Sequence, residues 1–245
     1  MKTATAGARA VVLIPALNEQ DTVAGVVAVA RAAAIGPVVV IDDGSSDATA
    51  AVAAAAGAEV LRLERNRGKG GALAAGARVR KERVLVLLDA DLTGLRPRHV
   101  RALARPVLAG KADMSRGVFV GGRWPTHLAQ KLVPVLNGQR GLLRERLLEV
   151  ERLGDSRYGV EIAISEHARR SGWRTVDVPL PGVSQVMKEE KLGAWRGVIK
   201  RLRMYGEILL EVVRSSVAGA RSRLRRGPPV GATPPRVVQR KAPRR

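Results

Sequence analysis

Four short runs, Ala10–Ile14, Pro37–Ile41, Val60–Leu63 and Val84–Leu88, each break off into a cluster of polar residues. The first three clusters lead into segments of helical character, Thr22–Ala33, Ala48–Ala56 and Ala72–Val79. This alternation constrains the fold more than any other feature of the chain. Short, mostly apolar runs rich in branched side chains suit strands covered on both faces. Strands alternating with helices join through right-handed crossovers into a mostly parallel sheet, whose ligand crevice lies at the carboxyl ends of the strands. All four polar clusters fall there. Asn18-Glu19-Gln20-Asp21 and Asp47 supply capping chemistry for the first two helices.

Beyond Gly94 the regularity weakens. A helix is predicted over Arg98–Leu108, then an irregular stretch from Ser115 to Pro134, a helix over Leu142–Arg152, another from Val160, and a strand over Trp173–Val178. Trp195, Val198, Ile199, Leu202, Tyr205 and Leu209 recur at spacings of three and four, with Arg196, Lys200 and Arg203 largely opposite, which predicts a basic amphipathic helix. Such a helix either docks on its own domain or lies on an anionic membrane. The expected organisation is one α/β domain over residues 1–192, its first half about 10–95 and its second 96–192. The basic helix over 193–226 and a disordered Pro- and Arg-rich tail over 227–245 follow.

Charge narrows the partners. The chain carries 43 Lys and Arg against 22 Asp and Glu, a net +21, and residues 193–245 alone contribute +12. That asymmetry points to an anionic surface or ligand at the C-terminal end. Aromatic residues are 2% of the chain, too few for base-stacking platforms, so specific nucleic-acid binding is not expected. There is no cysteine, which excludes disulfides and thiolate metal sites and fits a reducing compartment. No run of about 18 apolar residues occurs. The expectation is a cytoplasmic protein, soluble or peripheral at the inner membrane face.

The clusters carry the chemistry. In "LLDADLTG", Asp89 and Asp91 follow a buried strand two residues apart, and two such anions repel by roughly 4 kcal/mol at close range in an intermediate dielectric. Taken alone, the pair is as open to neutralisation by water, a helix N-terminus or an arginine as to a hard divalent cation with oxygen ligands. "VIDDGSSD" offers acids and hydroxyls that can accept from a base or a ribose, or can cap a helix. "NRGKGGAL" sets Lys69 among glycines, without the spacing of a P-loop.

Together, "VLIPALNE", "VIDDGSSD", "NRGKGGAL" and "LLDAD" resemble, in order and spacing, the nucleotide-sugar half of the GT-A fold in family 2 glycosyltransferases. The resemblance implies a Rossmann-like sheet flanked by helices. It implies a base- and ribose-binding role for Pro15, Ala16, Asn18, Glu19 and Asp42, with Lys69 facing the donor. Asp91 would be the catalytic metal ligand for Mg²⁺ or Mn²⁺, with Asp89 nearer the ribose or a bridging water.

Further along, "GGRWPT" and "RYGVEIA" resemble segments of glucosyl-3-phosphoglycerate synthases. They imply a catalytic role for Glu161 beside sugar and acceptor, with Arg123, Thr126 and Arg157 as acceptor contacts; a helix-dipole role for Glu161 stays open. The chain departs from that family in having an extra residue between Arg123 and Thr126 and Gln185 near the place of a metal-binding histidine.

The implied activity is metal-dependent transfer of a hexose from a UDP- or GDP-sugar to a phosphorylated acceptor. That acceptor is either a small acid like 3-phosphoglycerate or, by the wider resemblance to dolichyl-phosphate sugar transferases, a polyprenyl phosphate. A sugar-phosphate nucleotidyltransferase is the alternative enzyme, but "IPALNE" lacks the Gly-rich, basic triphosphate signature it needs. A non-enzymatic nucleic-acid binder is the third reading.

Overall fold

A computed structural model describes residues 9–120, 138–151, 153 and 159–185. The elements run β1 (Ala10–Ala16), α1 (Val23–Ala32), β2 (Val38–Asp42), α2 (Thr49–Ala55), β3 (Glu59–Arg62), α3 (Gly68–Val79), β4 (Val84–Leu87) and β5 (Leu92–Thr93). They continue as α4 (Pro97–Leu108), β6 (Met114–Val120), β7 (Arg140–Leu143), α5 (Arg144–Glu149), α6 (Val160–Arg170), β8 (Thr175–Pro181) and β9 (Ser184–Gln185).

Seven strands form one sheet in the order β3-β2-β1-β4-β7-β6-β8. The first four are parallel, with Val12 beside Val38, Leu13 beside Leu87 and Ile41 beside Leu61. β7 runs antiparallel to both β4 and β6, and β6 is parallel to β8. This is the α/β architecture with a mostly parallel sheet expected from the alternation. A two-stranded ribbon pairs β5 with β9, Leu92 opposite Gln185.

Alternation along each strand explains the unbroken apolar runs. Val12, Ile14, Val40 and Val86 point to one side and pack with Val26 of α1 and Leu103 of α4. Leu13, Ile41, Leu85 and Leu87 point to the other and pack with Leu73, Leu147 and Ile164 from α3, α5 and α6. Both faces are thus covered, as a parallel sheet requires.

Three expectations change. The stretch read as irregular opens within a seven-residue strand, Met114–Val120. The helix predicted over Leu142–Arg152 begins as strand β7, and among the described residues of that span Arg144–Glu149 form the α-helix. The helix predicted from Ala72 starts at Gly68, which takes Lys69 into its first turn. The basic segment 193–226, the tail 227–245 and the positions Arg123, Thr126 and Arg157 lie outside the described residues.

The sheet ends in an edge strand, β8, that carries Pro179 and Pro181. At the junction of β7 with α4, the Ser115 hydroxyl donates to the Leu103 carbonyl at 2.6 Å and accepts from the Gly141 N–H at 3.1 Å. A Cβ on Gly141 would collide with that same carbonyl and lie 2.8 Å from the Ser115 hydroxyl. Gly141→Ala is therefore expected to lower stability by about 1–3 kcal/mol, seen as a lower urea midpoint with an unchanged slope. An unshifted midpoint would show that α4 can back away freely.

Candidate active site

The carboxyl ends of β1, β2 and β4 face one side of the molecule, and the polar clusters meet there. Asn18, at φ 54°, donates its N–H to the Ser45 hydroxyl at 3.0 Å and accepts from the Ser46 N–H at 2.9 Å. The Glu19 N–H donates to the Thr49 hydroxyl at 2.8 Å, and Gln20 accepts from the Ala48 N–H at 2.9 Å. Asn18, Glu19 and Gln20, expected to cap α1, are tied to the loop after β2 and the start of α2. The first turn of α1 is closed by the Glu19 carbonyl, which accepts from the Val23 N–H at 3.0 Å. Asp47 does serve α2, accepting from the Thr49 N–H at 2.9 Å.

Asp42 closes β2, fully buried. Its Oδ1 accepts from the Ser45 N–H at 2.9 Å, and Arg62 lies 3.4 Å from its Oδ2. Asp43 accepts from the Arg67 N–H at 2.8 Å and so binds the second loop to the third. Burial raises the Asp43 carboxyl above its ordinary value, against the lowering effect of that backbone bond. Pro15 and Ala16 form the floor between these loops, with the Ala16 carbonyl accepting from the Asp43 N–H at 2.9 Å.

The centre of the site is Lys69. A cation in the first turn opposes the helix dipole, and two carboxylates from distant segments offset it. Its ammonium pairs with Asp89 and lies 2.5 Å from Glu161. Burial works against the charge, yet Asp89 and then Glu161 hold the Lys69 ammonium above its ordinary lysine value. Glu161 sits in the first turn of α6, where the dipole also favours an acid.

Asp89 has two further partners. Gln139 and Gln185 each donate an amide N–H to its Oδ2, at 2.9 Å and 2.5 Å. Because β7 is antiparallel, its start lies at the carboxyl end of β4, which brings Gly138 and Gln139 here. A Cβ on Gly138 would come within 2.5 Å of the Lys69 ammonium and 2.6 Å of Asp89 Oδ1, so this backbone closes over the ion pair. The strand ends at Leu87, and Ala90 and Asp91 form a turn rather than a continued extended segment. Asp91 is half-buried beside β5.

Among the described residues no three His, Cys, Asp or Glu side chains converge on one point. Asp89 and Asp91 are hard oxygen donors that suit Mg²⁺ or Mn²⁺ only if other oxygens complete the shell. Sequence reasoning brought Lys69, Asp89 and Glu161 together and missed Gln139, Gly138 and Arg140. The one trace they left is a polar pair between two glycines, "GQRG".

Comparison with known proteins identifies relatives of the chain and of its fold. The family described as glycosyl transferase family 2 matches residues 11–161. The undecaprenyl-phosphate mannosyltransferase of Micrococcus luteus is 27% identical over 249 aligned positions, covering 88% of this chain and 99% of that protein. The glucosyl-3-phosphoglycerate synthase of Mycobacterium tuberculosis is 29% identical over 174 positions, 60% of this chain and 54% of that protein, so the match spans about half of that relative. A crystal structure of the M. tuberculosis synthase with Mn²⁺, UDP and glucosyl-3-phosphoglycerate has a TM-score of 0.69 at 25% identity, over 86% of this chain and 80% of that one.

The electrostatics make a prediction of their own. Because Lys69 titrates above its ordinary value, its contribution is complete below about pH 10 and is lost only as pH rises through the elevated value. Lys69→Met should cost about 3 kcal/mol, with a deficit that stays level between about pH 6 and about pH 9. Urea unfolding at the two ends of that window checks it. A deficit that vanished within the window would show that the charge is not what binds the three segments.

Proposed function

The chain belongs to glycosyl transferase family 2 and is a glycosyltransferase; from that premise we propose that it moves a hexose from a UDP- or GDP-sugar to a phosphorylated acceptor. The observation that carries the reading is the Lys69 ammonium, held between Asp89 and Glu161 where the loops after β1, β2 and β4 meet. A fixed cation at that crevice suits the anion that transfer releases. The acceptor oxygen bonds to the anomeric carbon as the bond from that carbon to the diphosphate breaks, and the nucleotide diphosphate leaves with the electron pair. Lys69 faces that leaving charge.

Pro15, Ala16, Asn18, Glu19 and Asp42 would hold the base and ribose, since their backbone and side chains form the buried floor and the tied loops of the crevice. Glu161 would lie beside the transferred sugar and acceptor. Asp91, with Asp89, offers the carboxylate oxygens for Mg²⁺ or Mn²⁺, the cations in crystal structures of the M. tuberculosis synthase with UDP. Bound there, such a cation would supply Lewis-acid stabilisation of the departing diphosphate. Diphosphate oxygens and water would fill the shell that the protein leaves incomplete.

Arg123, Thr126 and Arg157 remain the proposed contacts to the acceptor's anion. The two named relatives act, by their names, on a polyprenyl phosphate and on phosphoglycerate, and a phosphate is what the two share. Among the described residues no helix is long and apolar enough to cross a membrane. A lipid acceptor would therefore be met from the surface, with the basic segment 193–226 supplying the attraction to anionic headgroups.

Asp91→Asn deletes a charge with little change in volume and should leave the fold intact. Metal-dependent hydrolysis of the preferred donor is expected to fall at least about 100-fold, and stabilisation of the protein by Mn²⁺ plus nucleotide should be lost with it. Activity like that of the wild type at limiting Mn²⁺ would remove Asp91 from the metal site. The donor itself is identified by thermal shift against a panel of UDP- and GDP-sugars with Mn²⁺ or Mg²⁺. No shift with any of them would overturn the assigned reaction.

A further inference from the structure

We infer that Gln139 and Arg140, adjacent at the head of β7, are positioning residues that aim the two carboxylates of the site: Gln139 sets Asp89, and Arg140 sets Glu161. The inference rests on the proposed transfer reaction and adds residues that neither the sequence motifs nor the comparisons single out.

Arg140 has no solvent exposure at all. Its contacts are specific. Nη2 donates to the backbone carbonyl of Glu161 at 3.0 Å and to the Ser165 hydroxyl at 2.9 Å, while that hydroxyl donates to the same Glu161 carbonyl at 2.7 Å. The guanidinium thus grips the first turn of α6 at the residue whose carboxylate meets Lys69 at 2.5 Å. Burying this charge is expensive, and burial draws the Arg140 guanidinium down to about 10. An apolar side chain of similar volume would fill the same space without the desolvation cost. What an apolar residue would not do is fix the rotation and height of α6 relative to the sheet.

Gln139 completes the arrangement. It is as deeply buried, its carbonyl accepts from the Gly117 N–H at 2.8 Å, and its amide reaches Asp89 Oδ2 at 2.9 Å. Arg140 pairs with Leu87, the last residue of β4, so Gln139 lies beyond the end of β4, next to the segment that carries Asp89. Neighbours along an extended segment point to opposite faces, and this pair uses both: one side chain goes to Asp89, the other under α6. A single segment therefore sets the distance between two carboxylates that are 72 positions apart in sequence.

The test separates aiming from mere support. Arg140→Lys keeps the charge but is shorter and lacks the planar fork that holds Nη2 between the Glu161 carbonyl and the Ser165 hydroxyl. With the nucleotide sugar selected by the panel above and Mn²⁺, its kcat for donor hydrolysis should fall about 10- to 100-fold while calorimetric nucleotide affinity shifts by no more than about threefold. Gln139→Met should show its larger effect in the half-saturating Mn²⁺ concentration, raised about tenfold. Ser165→Ala, which takes one hydroxyl from a helix flank, guards against a variant that fails to fold and should reduce kcat several-fold in the same direction as Arg140→Lys.

Loss of affinity and kcat in equal measure in Arg140→Lys and Ser165→Ala would overturn the inference, as would rates like the wild type's in both. A wild-type protein that binds no nucleotide sugar would instead overturn the function on which it rests.

Discussion

One ammonium group organises this molecule. Lys69 opens a helix, Asp89 leaves β4, the middle strand of the seven, and Glu161 opens a helix in the second half, and the three meet as one cation between two carboxylates. Remove the lysine and the sheet still has its apolar faces, but two largely buried carboxylates lose their shared cation. The cost of placing a cation at a helix N-terminus is accepted because the same cation serves two anions. The loops after β1 and β2 are bound separately, by neutral hydrogen bonds among Asn18, Ser45, Ser46 and Thr49. The buried carboxylates of Asp42 and Asp43 add charged ties to the same loops, so the crevice is fixed on that side without drawing on Lys69.

The first half of the chain was legible because each strand is a run with one meaning. Val84 to Leu87 can only be a strand covered on both faces, and a polar cluster at its end can only lie on the ligand side of a parallel sheet. The second half resists the same reading for local reasons. Strand β7 has four residues and passes into α5 without a turn, so Leu142, Leu143 and Leu147 carry a helical spacing across a boundary where the backbone changes state. Arg140 in a buried strand has no pattern to announce it. One of its partners is the Glu161 backbone carbonyl, and a backbone group leaves no mark in a sequence.

The early start of α3 has a different cause. Three glycines around Lys69 argue for a loop, since glycine is a poor helix former. Here Gly70, Gly71 and Gly76 are buried, and a Cβ on Gly76 would stand 3.1 Å from Ile41. Close approach of the helix to the sheet outweighs propensity. The same closeness brings Lys69 within reach of Asp89, so glycines that look like flexibility are a means of proximity. Gln185 shows the reverse: resemblance alone drew attention to it, and the structure gives it a hydrogen bond from its amide to Asp89 across 96 positions.

The prolines of the outer strand bear on how the chain survives its own synthesis. Pro179 and Pro181 have no N–H, so two of the seven residues of β8 cannot extend the ladder outward. Among the described residues β8 is the last strand of the main sheet to emerge from the ribosome, and until it arrives that side of β6 is bare in a chain that is 46% hydrophobic. Once it docks, the sheet presents a border to which a sister molecule cannot readily zip. The prolines act as a selvedge, the finished margin that keeps woven cloth from being joined thread by thread to the next piece.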